Sequence, residues 1–363
     1  MEFEVKTATR KSVYRMVSDI HSELRLLIVN KEIYSNIFFV VDENVYSNYS
    51  VQIDKLFSLS AGKKGLITLK ASEKNKSYQS LQKIHKAMLN DNFGRDTTLV
   101  AVGGGIVGDL AGFAASTYMR GIHLVHIPTT ILAAVDSALG GKTAVNFLDS
   151  KNMIGTFYQP HFILTDVSLF KTLPKREVYC GMAEVIKYAF IAGKSFESLL
   201  NKHYEKALLQ NEESLKTLVF ESAKVKGVIV QADEREQSLR KVLNFGHTFG
   251  HGFESAAKFK AKHGEAIALG MIAALLLSRN LGILTTEDAS KLIAYPKLIP
   301  IPNLLANLNV KDILPYLAKD KKNEAGKNKF VLSAGIGEIV LDVEADKKDV
   351  TRAILQAQKE VIK

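Results

Sequence analysis

Thr97-Thr98-Leu99-Val100-Ala101-Val102-Gly103-Gly104-Gly105-Ile106-Val107-Gly108 is the stretch that decides the fold. The run from Thr97 to Val102 predicts a strand that Gly103 stops. Glycines at 103, 105 and 108 then form G-x-G-x-x-G ahead of a helical pattern. Glycines there allow a tight turn and let backbone N–H groups approach a pyrophosphate at the helix N-terminus. A packing turn is the plain alternative, and the strand–loop–helix order favours the binding loop.

Outward from this loop, β-like runs alternate with helical stretches. Ile37–Val41, Leu66–Leu69, Ile122–Ile127 and His161–Leu164 read as strands, and Ser77–Leu89 as a helix with Leu81, Ile84 and Met88 on one face. Such alternation indicates an α/β layer with a largely parallel sheet. After Asp166 the pattern turns helical, over 177–191, 196–209, 213–230, 249–258 and 265–281. Three prolines in 296–302 mark a connector, a short β-like pair covers 329–332 and 338–341, and a final helix starts near Ala345. The expected division is an α/β domain over 1–167 and a mostly α-helical domain over 168–363.

One point of order is unusual. In a standard dinucleotide unit the acidic residue that holds the ribose comes about 20 residues after the loop. Here that position is Pro128, whereas the acidic strand end, Asp42, precedes the loop. This argues against an ordinary dehydrogenase module.

Composition narrows the classes. Lys+Arg 48 against Asp+Glu 38 gives +10 over 363 residues. A nucleic-acid binder would show a clustered basic stripe with interleaved aromatics. The runs 319–322 and 327–329 are instead short and mixed with Asp320 and Glu324. The uncharged stretch Ala266–Leu277 is shorter than the roughly 20 residues a bilayer demands. No apolar leader opens the chain, and a single Cys fits a reducing compartment, so a cytoplasmic protein is expected. Between 97 and 150 only Asp109, Arg120, Asp136, Lys142 and Asp149 are charged. Charges in so apolar a segment are expected to be paired or functional.

A second constellation lies downstream. His247 and His251, at i and i+4, share a helical face, and His263-Gly264-Glu265 opens the next helical pattern. Glu184 and Lys187 share one face of an otherwise apolar helix. A catalytic zinc takes three His or carboxylate ligands and keeps one position open. A packed histidine pair and a helical salt bridge are the plain alternatives, and spacing leaves open which three groups would bind.

Longer motifs now resemble one family. GGGIVGDLAGFAAS at 103–116, YMRG at 118–121, PTT at 128–130 and DSALGGKTAVN at 136–146 are similar to 3-dehydroquinate synthases. So are KNMIG at 151–155, GMAEVIKY at 181–188, LNFGHTFGH at 243–251, HGEA at 263–266 and DKK at 320–322. The wider group is the sugar phosphate cyclases. The resemblance implies a Rossmann-like N-terminal domain holding NAD and a helical domain holding a divalent metal, Zn or Co. It implies a cytoplasmic homodimer of the shikimate pathway, in aromatic amino acid biosynthesis, with no membrane or nucleic-acid partner. The reaction would turn 3-deoxy-D-arabino-heptulosonate 7-phosphate, an anionic sugar phosphate, into 3-dehydroquinate and phosphate.

Carried over by motif, the resemblance makes Glu184, His247 and His263 the metal ligands, with His251 beside the metal or against substrate. Arg120 (from a partner subunit or nearby), Asp136, Lys142, Asn152, Lys187, Lys226, Arg240, Asn244 and Lys321 would contact substrate. Asp42, Glu73, Lys76, Gly103, Gly104, Gly105, Asp109, Thr129, Thr130 and Lys151 would hold NAD. Another sugar phosphate cyclase and a metal-dependent polyol dehydrogenase are the competing readings. Arg240, Leu243 and Asn244 look like the dehydroquinate pattern, and the long motifs argue against the dehydrogenase.

Overall fold

A computed structural model of the chain describes residues 1–59, 62–148, 150–318 and 329–362. Lys321 and the rest of the 320–322 motif lie outside these residues.

The strands are β1 (Glu2–Lys6), β2 (Lys11–Met16), β3 (Asn36–Asp42), β4 (Lys64–Leu69), β5 (Thr97–Gly103), β6 (His123–Pro128), β7 (Lys142–Phe147), β8 (Ser150–Phe157), β9 (Phe162–Thr165), β10 (Lys329–Gly335) and β11 (Glu338–Glu344). Seven form one sheet in the order β1-β2-β9-β6-β5-β3-β4. Its strands run parallel except β1, which pairs antiparallel with β2 at the edge.

Why the central strands are apolar throughout follows from the two cores. Phe38, Val40, Leu99 and Ala101 pack on one face with Leu81, Ile84, Met88, Leu110 and Ala114 of helices Tyr78–Asn90 and Gly105–Thr117. Ile37, Phe39, Val41, Val100 and Val102 pack on the other with Leu24, Leu27, Ile53 and Leu56 of helices Ile20–Val29 and Glu43–Ser58. A strand covered on both faces has no polar side to alternate with.

The strand order also accounts for the unusual position of Asp42. The chain leaves β3 for β4 on one side and returns to place β5 on the other. The winding thus reverses between β3 and β5, and open α/β sheets bind ligands at such a reversal. Val41 pairs with Val102, so Asp42 ends its strand next to Gly103. The acidic strand end is the loop's spatial neighbour although it comes earlier in sequence.

Two compact units emerge: Met1–Pro174 with Leu215–Arg235, and Lys175–Ser214 with Glu236–Lys363. The sequence reading placed everything after 167 in the helical part; residues 215–235 instead belong to the first unit. Phe220 explains the difference, because its ring packs edge-on against Phe3 and Tyr14 of β1 and β2. In the second unit, helix His263–Asn280 is buried along nearly its whole length and forms the core. Among the described residues no helix is long and apolar enough to cross a membrane.

Candidate active site

Gly103, Gly104 and Gly105 all lie outside the positive-φ region, so the loop's glycines are not there for a left-handed turn. They are there because side chains would not fit. A Cβ on Gly103 would lie 2.8 Å from Val107, one on Gly104 3.2 Å from Thr130, and one on Gly105 2.8 Å from the Ser137 hydroxyl. Gly104 caps helix Gly105–Thr117 without a side chain, which leaves the first-turn N–H groups open to an anion. Thr129 donates its N–H to the Gly103 carbonyl at 3.0 Å, and Thr130 Oγ1 accepts from Ala133 at 3.1 Å. Asp42 accepts from the Asn44 N–H at 2.9 Å, and burial raises its carboxyl pKa.

A polar network joins several of the predicted residues in the same unit. The buried Lys76 ammonium donates to both the Asp109 carboxylate and the Asn152 amide oxygen. Burial raises the Asp109 carboxyl against the pull of Lys76. Lys151 pairs with Glu73 at 3.3 Å. Lys226 donates to the Asp136 carboxylate and to the Asp136 carbonyl, each at 2.6 Å. The charge-poor segment therefore holds two of its acids in ion pairs, while Arg120 and Lys142 are exposed. Met119 and Arg120 take φ of 49° and 66° just before Gly121, a turn that keeps Arg120 on the surface.

The second unit brings three donors together. Glu184 comes from helix Lys175–Ala192, His247 from the first residue of helix His247–Ala256, and His263 from the first residue of helix His263–Asn280. Glycines let these helices approach. Gly246 takes φ 77° at the cap before His247, a Cβ on Gly264 would come within 2.5 Å of the Cys180 Cα, and one on Gly270 within 2.6 Å of the Gly250 nitrogen. Glu265 fixes the entry to its helix by accepting from the Lys262 N–H at 2.8 Å and holding Arg176 through both carboxylate oxygens, at 2.5 and 2.7 Å.

Glu184 Oε1 is buried, accepts no hydrogen bond, and faces Nε2 of His247 and Nε2 of His263, each at 3.5 Å. The opposite ring nitrogens are already engaged: His247 Nδ1 with the Phe245 carbonyl at 3.2 Å, His263 Nδ1 with the Glu254 carboxylate at 3.4 Å. Two imidazoles anchored through Nδ1 present Nε2 to a common point. Tetrahedral ligands about 2.1 Å from a zinc-sized ion lie about 3.4 Å apart. The donor set therefore fits a divalent metal.

The electrostatics agree with that fit. Burial works to raise Glu184, but the Lys187 ammonium at 2.5 Å and the two imidazoles hold its carboxyl well below the usual range. Burial, reinforced by Lys187, lowers His247. Burial also opposes charge on His263, yet Glu184 and Glu254 raise it to about 10. A metal would replace the His263 Nε2 proton. Lys187 also donates to the Leu243 carbonyl at 2.9 Å. His251 stands beside the pair, its ring 5.3 Å from His247 and 5.9 Å from His263, and belongs to no three-ligand set among the described residues. Arg240 is buried, and Asn244 donates to Glu236 at 2.6 Å.

Residues 66–180 match the family described as 3-dehydroquinate synthase N-terminal, and residues 181–323 its C-terminal counterpart. The 3-dehydroquinate synthase of Acidithiobacillus ferrooxidans is 40% identical over 316 residues, 87% of each chain. That of Desulforamulus reducens is 35% identical over 355 residues, 97% of this chain and 99% of its own. The chain belongs to the 3-dehydroquinate synthase family. Among solved structures, the 2-epi-5-epi-valiolone synthase of Streptomyces hygroscopicus, with NAD+ and Zn2+ bound, superposes with a TM-score of 0.86 at 26% identity, covering 96% of both chains.

Within this family member, three contributors escaped the sequence reading. Glu254 orients His263, Glu265 anchors the helix that carries it, and Asn146 ties the polar network together. Glu254 had a usable signal, since 247, 251 and 254 fall on one helical face.

Proposed function

We propose that the chain converts 3-deoxy-D-arabino-heptulosonate 7-phosphate to 3-dehydroquinate and phosphate with NAD and a divalent metal, Zn or Co. Membership in the family, with one relative matching over 97% of this chain, supports the reaction. The observation that carries the site is the buried Glu184 oxygen facing two Nε2 atoms at 3.5 Å.

Glu184, His247 and His263 would hold the metal, whose chemistry when bound is to polarise a ring hydroxyl and ease its loss of a proton. Asp42, Glu73, Lys76, Gly103, Gly104, Gly105, Asp109, Thr129, Thr130 and Lys151 would hold NAD, whose chemistry when bound is reversible hydride acceptance. The open N–H groups after Gly104 suit its pyrophosphate. The substrate's carboxylate and phosphate require cations. Arg120 and Arg240 offer planar, bidentate donors, while Lys142, Lys187 and Lys226 offer ammonium groups. Asn152, Asn244 and His251 supply neutral donors, and Asp136 holds Lys226 by its ammonium. Lys321 is assigned to substrate by motif alone. The departing phosphate can take up the proton of its own elimination, so no dedicated strong base is required of the protein. The working form is a cytoplasmic homodimer, in keeping with the family resemblance and the lone buried Cys180.

Phosphate release is the test. Protein loaded with NAD and zinc should liberate phosphate from the heptulosonate phosphate, accumulate no NADH, and stop when a chelator is added. Failure of the loaded protein to release phosphate would overturn the reading.

A further inference from the structure

Asn146 lies at the end of DSALGGKTAVN, and no cofactor or substrate role falls on it. It sits where the β7–β8 ladder breaks: Val145 pairs with Ile154 and Phe147 with Ser150, leaving an irregularity between them. Such irregularities release backbone groups from the ladder and re-aim side chains. Asn146 uses that freedom fully. Its N–H donates to the Lys76 carbonyl at 2.8 Å, and its Nδ2 donates to the Glu73 carbonyl and carboxylate at 3.0 and 2.9 Å. Its Oδ1 accepts the Asn152 N–H at 3.0 Å. Asn152 lies at φ 53°, in the left-handed region that asparagine tolerates better than most non-glycine residues.

The consequences reach five residues. The Asn152 side chain accepts from Lys76, and Lys76 pairs with Asp109. Glu73 pairs with Lys151. One asparagine thus fixes both the 73–76 turn and the kink at 152, from which these polar side chains emerge.

We infer that Asn146 is a positioning residue that locks the Glu73–Lys76 turn to the β7–β8 hairpin, so that Glu73, Lys76, Lys151 and Asn152 are set before ligand arrives. The inference rests on the functional reading above, which assigns those four residues to NAD and substrate. The role inferred for Asn146 is to hold these residues, through protein contacts alone.

Asn146→Ala and Asn146→Asp separate its two halves, because Asp keeps the acceptor for the Asn152 N–H and loses the donors to Glu73. Calorimetric titration with NAD should show affinity about tenfold weaker for Asn146→Ala, because only part of the effect of its lost hydrogen bonds reaches the ligand. Asn146→Asp sets a carboxylate against that of Glu73, so it should bind NAD at least as weakly as Asn146→Ala although it keeps the acceptor for the Asn152 N–H. Hydrogen exchange of the cofactor-free protein should quicken by about tenfold in segments 72–76 and 146–152 while β3 and β5 stay protected. NAD affinity equal to wild type in both variants would overturn the inference, as would exchange that quickens evenly through the sheet. A wild-type chain that binds no NAD would defeat the functional reading instead, and the exchange arm would still decide whether Asn146 is the tie.

Discussion

His263 stands between two carboxylates, and each has a separate task. Glu184 shares the point that its Nε2 faces, while Glu254 engages Nδ1 and so sets the ring's rotation. Groups that orient a metal-binding imidazole typically account for 10- to 100-fold of metal affinity. Glu254→Gln should therefore weaken zinc binding by about that factor in a chelator competition, with the fold retained. Glu184→Ala and His247→Ala should abolish stoichiometric zinc. A Glu184→Ala variant that still holds one zinc per chain would contradict the ligand assignment. Residue types alone nominated Glu184, His247, His251 and His263. They could not choose among the histidines, because His251 shares the helical face of His247. The choice depends on where His263 and Glu184 arrive from other helices. Glu254 stayed hidden because an acid in a helix is ordinarily a solvated one.

At the scale of elements, the legible strands were those buried on both faces. β3 and β5 present unbroken apolar runs, and helix 263–280 announces itself in the same way. What escaped was amphipathic or polar. β1 and β2 read Glu-Phe-Glu-Val-Lys and Lys-Ser-Val-Tyr-Arg-Met; the alternating charges of β1 suit the sheet edge it forms, and the charged ends of β2 mask a strand buried between β1 and β9. β8 is half exposed along its length, and helix Glu43–Ser58 is polar enough to pass for a loop. At the glycine loop the sequence shows the glycines but not the neighbours, Val107, Thr130 and Ser137, that a Cβ would meet. The helix crossings make a sharper test. Gly264→Ala would force a methyl to within 2.5 Å of the Cys180 backbone, where no side-chain rotation can relieve it. Overpacking of this kind costs about 1–3 kcal/mol. The denaturant midpoint should fall accordingly, and zinc should bind more weakly because Glu184 and His263 are carried by the two helices pushed apart. A Gly264→Ala protein with unchanged midpoint would show that the crossing is loose.

For the whole molecule, pH acts through buried histidines other than the three near the metal-fitting donors. His126 is buried in β6, and burial lowers its pKa to about 4. Because the folded value lies below the unfolded one of about 6.5, folding expels a proton. The stability is complete above about pH 6.5 and declines as pH falls toward 4, by about 2 kcal/mol between pH 7.5 and 5. His161, lowered to about 3 by burial and then by the Arg10 charge, adds in the same direction. Denaturant titrations of the wild type and His126→Gln should therefore differ in their pH slope over that window. Parallel slopes would remove His126 from the account.

Helix Glu212–Ala232 begins in one unit and runs on into the other. This bears on how the gene can be recombined. A hybrid that takes residues 1–174 from one homologue and the remainder from another would divide a single unit between two parents. Phe3 and Tyr14 would meet a foreign ring at 220, and Asp136 a foreign group at 226. A workable exchange must carry 215–235 along with 1–174, as a discontinuous cassette with two seams on the C-terminal side. For this chain the heritable module is set by which residues pack together, and no single crossover point delivers it.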